Sequence, residues 1–403
     1  MADFADGEVL QTLAELIAIN SVNPSYEGGV AEAALAEYIE AFFAARGIET
    51  WRQEVEPQRF NVIARLPGAD PQRRVIFEAH MDTVSVQGMT IPPWTPTIRD
   101  GRIYGRGACD TKAGMAAMMH ALASLHATGQ QPPCEIWFAA TIDEEYSYRG
   151  VTELCKGLTG DAAIVAEPTD LRAVIASKGV VRWQIETIGR SAHSSKPHLG
   201  VNAIEHMAQV IRALQQDAAE LAKHSHPLLG PATCNVGVIQ GGRQVNFVPD
   251  RCCIEVDRRL LPGEDADTVL AHYQRLLDSL AATDPRMQIQ MHRPMLTDLP
   301  LQTDAQAAVV QQIGTILSSH QLDATPMGVP FGSDASKLAA IGIPSIILGP
   351  GSIDQAHAAV EYIDCDQVEQ AARIYRQFMR DFHPDVTAER SSASGTHRIN
   401  ANS

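Results

Sequence analysis

Two hydrophobic periodicities alternate along the chain. Leu10, Leu13, Leu16 and Ile17 recur at helical spacing over residues 9–20, and residues 31–46 repeat that spacing with an alanine-rich face. The period then shortens. Residues 59–66 and 74–78 read as strands, 111–126 as a long helix, and 135–141 and 162–166 as further strands. Strands alternating with helices predict an α/β domain whose central sheet is mostly parallel. From Lys178-Gly179 the style changes to an alternating strand through Val181, Trp183 and Ile185, a helix over 201–222, strands at 234–239 and 251–258, a helix over 265–280 and a strand at 288–292. That order, βαββαβ, predicts a ferredoxin-like α+β unit. The α/β style resumes after Pro294 with helices at 305–318 and 336–341, a strand at 345–348 and a last helix over 365–382. The expected layout is therefore an α/β domain in two parts, 1–177 and 294–382, interrupted by an inserted domain at 178–293. A tail at 383–403, rich in Ser, Ala, Asn and Arg, has the composition of disorder.

The chain has 403 residues and 45% hydrophobic content, enough for two globular units. A net charge of −16 and a pI near 5.3 repel phosphate backbones and anionic lipid, which argues against nucleic acid and membrane surfaces as partners. The opening Met-Ala-Asp-Phe-Ala-Asp-Gly-Glu is acidic where a secretory leader is basic, and no run reaches the roughly 18 apolar residues of a membrane span. A cytoplasmic location is the expectation. Seven cysteines, odd in number and without CxxC spacing, read as reduced, mostly buried thiols.

The candidate chemistry sits where strands stop. Residues 75–84, Val-Ile-Phe-Glu-Ala-His-Met-Asp-Thr-Val, run an apolar strand into His80 and Asp82, which alternation puts on one face. A histidine ligand usually donates its second ring N–H to a carboxylate, so Asp82 is suited to orient His80. A glycine-rich loop, Gly105-Arg-Gly-Ala-Cys-Asp-Thr-Lys, opens the long helix, but a phosphate loop needs GxxxxGK[ST], and Asp110 in its place favours a cation. Another strand ends in Asp143, Glu144 and Glu145, where adjacent carboxylates suit one metal ligand and one proton shuttle. Glu167 closes the next strand, and His357 follows the strand at 345–348. Two histidines and three carboxylates, one able to bridge, form the ligand set of two zinc ions about 3.5–4 Å apart.

The runs HMDTV, GRGACDTKAGM, DEE, AEPT, SAHSS, GGRQVNFVPD, DRRLLPGE, GSDA and DQAHAAVEYI together resemble the metallopeptidase M20 family, in its acetylornithine deacetylase and succinyl-diaminopimelate desuccinylase branch, from about residue 8 to 382. The resemblance implies a zinc-peptidase-like catalytic domain with the ferredoxin-like insertion as a dimerisation and lid domain. By that likeness His80, Asp110 and Glu167 hold one Zn2+ and Asp110, Glu145 and His357 the other, with Co2+ or Mn2+ as substitutes. Asp110 bridges, joined to Thr111 by a cis peptide, and Glu144 is the general base. His193 stabilises the oxyanion, often in a partner subunit, while Asn246 and Arg258 contact substrate. Glu167, where other branches carry Asp or His, marks deacylases and carboxypeptidases. The expected reaction is removal of an N-acyl group, acetyl ahead of succinyl, from a small amino acid such as N-acetylornithine. The alternatives are a desuccinylase, a carboxypeptidase or dipeptidase acting on short peptides, and an inactive metal-binding homologue. A homodimer through the inserted domain is expected.

Overall fold

The computed structural model describes residues 7–385; residues 1–6 and 386–403 lie outside the described part, and most of the expected tail with them. The described chain divides into two compact units. Ala176–Gln302 with Gly328–Gly332 form the second, and the rest forms the first.

The first unit is built on a sheet in the order β1 (Glu49–Glu56), β2 (Arg59–Leu66), β4 (Cys134–Thr141), β3 (Asp70–His80), β5 (Ala162–Val165) and then Ser345–Ile347. Its centre is parallel, from β4 through β3 and β5 to Ser345–Ile347. The β1/β2/β4 flank is antiparallel, so the sheet is mixed around the parallel middle that the sequence predicts. Strand β1 escapes the hydrophobic pattern because it is a half-exposed edge, Glu-Thr-Trp-Arg-Gln-Glu-Val-Glu, with no apolar run to mark it.

Helix α1 (Glu8–Ala18) buries the stripe Val9, Leu13, Leu16 and Ile17, and α2 (Ala33–Ala44) buries Leu35, Ile39, Phe42 and Phe43. Full burial of each such side chain contributes about 1.5–3 kcal/mol. Helix α3 (Lys112–Ala127) is buried nearly all round, as expected of a helix enclosed on every side, and its alanines and methionines let the sheet and the helix Cys365–Asp381 approach closely. Gly114 marks the tightest point, because a Cβ there would stand 2.6 Å from that of Ala166. A side chain at this position would push α3 away from the end of β5.

The second unit is an antiparallel sheet in the order β7 (Thr233–Gly241), β8 (Arg251–Leu260), β6 (Gly179–Ile188) and β9 (Gln288–Met291). Helices α4 (Ala203–Leu221) and α5 (Ala266–Ala281) cover one face, and their residues share a core with Val181, Trp183, Ile185, Ile254 and Val256. This is the ferredoxin-like order. Burial alternates strictly along β8, so Cys252, Ile254, Val256, Arg258 and Leu260 share the covered side. Among the described residues no helix is long and apolar enough to cross a membrane.

Candidate metal centre

Parallel strands bring their carboxyl ends to one edge of the sheet, where α/β proteins bind ligands. Here β3 stops at His80 opposite Thr141 of β4, and Glu78 pairs with Val165 of β5, so His80, the 143–145 turn and Glu167 emerge side by side. Asp110 reaches the same edge on the loop before α3, which Thr111 ties to β5 by donating its hydroxyl to the Ala166 carbonyl at 2.8 Å. The Asp110-Thr111 peptide is cis.

Asp110 occupies the middle of the cluster. Its Oδ1 lies 3.1 Å from His80 Nε2 and its Oδ2 3.2 Å from His357 Nε2. Glu145 stands 3.2 Å from the same His357 nitrogen, and Glu167 is 3.9 Å from His80 Nε2. Donor atoms of His80, Glu144 and Glu167, and likewise of His80, Asp110 and Glu145, lie within 4.8 Å of one another. Asp110 and Glu167 are buried whereas His357 is half exposed, so the cluster opens to solvent on the His357 side.

The electrostatics describe an acid cluster short of positive charge. Burial raises the proton affinity of Glu144 and Glu167 well above the usual carboxylate range, with further repulsion from Glu167 and Asp110 respectively. Glu145 rises to about 7, first by burial and then by the Asp110 charge, although His357 pulls it down. Burial also works to raise Asp110, but hydrogen bonds from His357 and His80 outweigh it and leave its carboxyl low. Hydrogen bonds to Asp110 and Glu145 lift His357 to about 10. The ion-pair partners of Asp110 and Glu145 are thus histidines, both competent as neutral metal ligands, rather than lysine or arginine. Oxygen and imidazole donors converging around a shared carboxylate fit a pair of divalent ions.

Asp82 meets the His80 ring through its backbone as well as its carboxylate. His80 Nδ1 donates to the main-chain carbonyl of Asp82 at 2.8 Å, while the carboxylate is 3.6 Å away. That carboxylate accepts the backbone N–H groups of Glu144 and Glu145 at 3.0 and 3.1 Å. Three further participants were assigned no role from the sequence, although Arg106 and Glu361 lie within the runs that carry the family resemblance. Asn23 bonds both Asp82 and Asp143. Glu361 accepts the Cys109 and Asp110 backbone N–H groups at 2.9 and 3.1 Å and pairs with Arg106 at 2.6 Å. An isolated Asn-Pro or Val-Glu dipeptide says nothing of such partners. The cysteines carry free thiols, and burial pushes that of Cys109 upward.

His193 and Asn246 meet in the second unit. Both are exposed, and the Asn246 carbonyl accepts the Ser194 N–H at 3.0 Å. Ser195 N–H donates to His193 Nδ1 at 3.1 Å, which leaves Nε2 to carry the proton of a neutral ring. Arg258 does not stand where a substrate arginine is expected. It is 1% exposed on the helix-covered face, donating to Glu264 Oε1 at 2.5 Å and to the Arg259 carbonyl. The reason is the strand period: the next residue, Arg259, is the one that faces the other side, beside Asp257 at 2.8 Å.

Acids and imidazoles assembled at strand ends define a metal-dependent hydrolase. The model of Peptidase family M20/M25/M40 matches residues 76–381, and the chain belongs to that family. It is similar to acetylornithine deacetylase of Vibrio vulnificus (strain CMCP6), 31% identical over 385 residues that span 93% of this chain and 98% of the relative. It is also similar to the probable succinyl-diaminopimelate desuccinylase of Staphylococcus aureus (strain N315), 26% identical over 412 residues, 94% and 98% of the two chains. Among solved structures, an aminopeptidase from Bacillus cereus shares the fold with a TM-score of 0.77 at 23% identity, over 92% of this chain and 97% of that one. A dinuclear metal-binding M20 peptidase from Bacillus subtilis does so with a TM-score of 0.69 at 16% identity, over 92% and 96%.

Proposed function

We propose that this hydrolase is a two-metal amidohydrolase that removes an N-acyl group, acetyl first, from a small amino acid such as N-acetylornithine. The observation that carries the reading is Asp110, whose two carboxylate oxygens each face a different histidine at 3.1 and 3.2 Å, as a bridging ligand must. In this reading His80, Asp110 and Glu167 hold one divalent ion, and Asp110, Glu145 and His357 the other. Zinc is the first candidate, with cobalt or manganese as substitutes. When bound, such a pair supplies Lewis acidity toward the amide carbonyl and toward water.

The protein's own groups do the rest. Glu144 takes the proton of the attacking water and returns it to the departing amine, and burial raises its proton affinity in the direction a general base needs. His193 donates from Nε2 to the developing oxyanion, and Asn246 assists in substrate binding. Arg259 takes the carboxylate-binding role expected of Arg258, since Arg258 is already committed to Glu264. The acetyl preference is supported by acetylornithine deacetylases 29–31% identical to this chain across at least 80% of its length, with succinyl second. A homodimer through the second unit is part of the proposal, supported by edge strand β7, where Val238 and Ile239 are 39% and 54% exposed. A cytoplasmic location accords with small-molecule amide chemistry.

The test is turnover of N-acetylornithine, N-succinyl-diaminopimelate and a dipeptide panel by zinc-loaded protein. Glu144→Ala should lower turnover by about 10²–10⁴-fold with metal content unchanged. Wild-type turnover in that variant would remove Glu144 from its role, and a fully loaded protein inert on every amide would make it a binding homologue.

A further inference from the structure

Glu144 belongs to a short turn whose shape no regular element holds. The turn starts at Asp143, in the left-handed region at φ 67°, and its first carbonyl accepts the N–H groups of Ser147 and Tyr148 at 3.2 and 2.7 Å. The backbone N–H groups of Glu144 and Glu145 point to the Asp82 carboxylate. The turn is therefore hung between two carboxylates, Asp82 on the β3 side and its own Asp143, both fully buried.

One side chain sets the relation between them. The Asn23 amide nitrogen has two protons, and its two contacts, Asp82 Oδ2 and Asp143 Oδ1, are each 2.8 Å away. Its oxygen accepts the Ser25 N–H at 2.9 Å, so this buried amide uses both of its donors and one lone pair of its oxygen. The Asn23 backbone cannot drift, because its N–H donates to the Thr83 carbonyl at 2.9 Å and Val22 bridges Thr83 in parallel register. Asp143 has further support from Arg149 and Ser147 at 2.6 Å each on its own side of the turn, and from the Arg59 charge of β2 at 3.6 Å. Among the described residues, Asn23 is the one whose side chain donates to both carboxylates. Without its two protons, the side-chain link between the two carboxylates is lost, and the turn keeps only the bonds that each acid makes separately.

We infer that Asn23 is a positioning residue for Glu144, holding the Asp82 and Asp143 carboxylates that frame the turn. The inference rests on Glu144 being the base. Displacing a reacting group by about 1 Å can cost on the order of 100-fold in rate, so Asn23→Ala in the metal-loaded enzyme should lower kcat by roughly 10–100-fold. KM should stay within about threefold, since the substrate's other contacts are untouched. Metal per chain, read by elemental analysis, should be unchanged, and the Glu144 and Glu145 amides should exchange hydrogen faster. Asn23→Ser, with one proton for two carboxylates, should fall between wild type and alanine and serves if the alanine variant does not fold. A kcat within about threefold of wild type in a folded, fully loaded variant overturns the inference. So does a loss that tracks missing metal, or failure of both variants to fold, which would make Asn23 a stability residue. Glu144→Gln assayed alongside separates the two claims: full activity there defeats the base assignment itself, whatever Asn23 does.

Discussion

Each unit holds buried charge, and the two balance it in opposite ways. In the first, Asp110, Glu144, Glu145 and Glu167 gather around two imidazoles, and burial together with mutual repulsion drives Glu144, Glu145 and Glu167 toward holding protons. In the second, a cavity of roughly 420 Å³ between α4, α5 and β8 is lined by both signs. There buried Arg258 pairs with Glu264 at 2.5 Å, and the half-exposed His272 ring is 2.7 Å from Asp217. A buried charge whose partner is in the same chain is complete, whereas one whose partner is missing is a place for an ion from outside. That difference, more than burial or the presence of an arginine, separates a ligand site from a structural pair.

Removing the metal should break the comparison most severely. Dialysis against a chelator is expected to abolish turnover, with zinc restoring it, and Arg258→Met should titrate with metal as wild type does. Metal-free protein retaining full turnover would contradict the reading of the first cluster. Next, Arg258→Ala takes the cation from Glu264, which keeps the Leu261 N–H and some solvent, and should cost about 2 kcal/mol in denaturant unfolding. Replacing Arg258 by Met and Glu264 by Leu together should recover most of that loss. A double variant no more stable than the single one would show that the pair is not a closed unit.

A third buried polar group sharpens the contrast by being neither. His120 is held near pH 4, first by burial and then by the Arg46 charge, while its ring nitrogen Nε2 lies 2.8 Å from the Thr12 hydroxyl. Its folded value is below the unfolded 6.5, so between the two the unfolded chain binds the extra proton. Its contribution is intact above pH 6.5, declines as pH falls through that window and is exhausted near pH 4. The full loss is about 3 kcal/mol, to be read as the difference in unfolding free energy between wild type and His120→Gln across the window. Equal slopes in the two proteins would refute it. The smallest effect is expected at the start of α4, where Asn202 accepts the Ile204 and Glu205 N–H groups. Asn202→Ala should cost about 1 kcal/mol in thermal unfolding of the second unit, with metal content and kcat unaffected.

How much of this was legible in the chain depends on the range of the interaction. The helix and strand periods locate α1, α3, β2, β4 and the βαββαβ order because each apolar stripe is a local record of one buried face. Strand β1 leaves no such record, being an edge held by its neighbour rather than by its own apolar residues. His80, the 143–145 acids and Glu167 were legible for a similar reason, since in a parallel centre the strand ends must share one edge.

What the order of residues determined by itself was the kinds of groups and the elements that carry them: His80, Asp110, Glu144, Glu145, Glu167 and His357 at the ends of apolar segments. Only the tertiary structure decided their partners. It gave His80 the carbonyl of Asp82 as its nearest acceptor, paired Arg258 with Glu264, and brought Asn23 to two acids 59 and 120 positions away. Periodicity reports which side of an element is buried. Which donor meets which acceptor across more than fifty residues is fixed only when the packed core brings them within 3 Å, because hydrogen bonds have that range and no more.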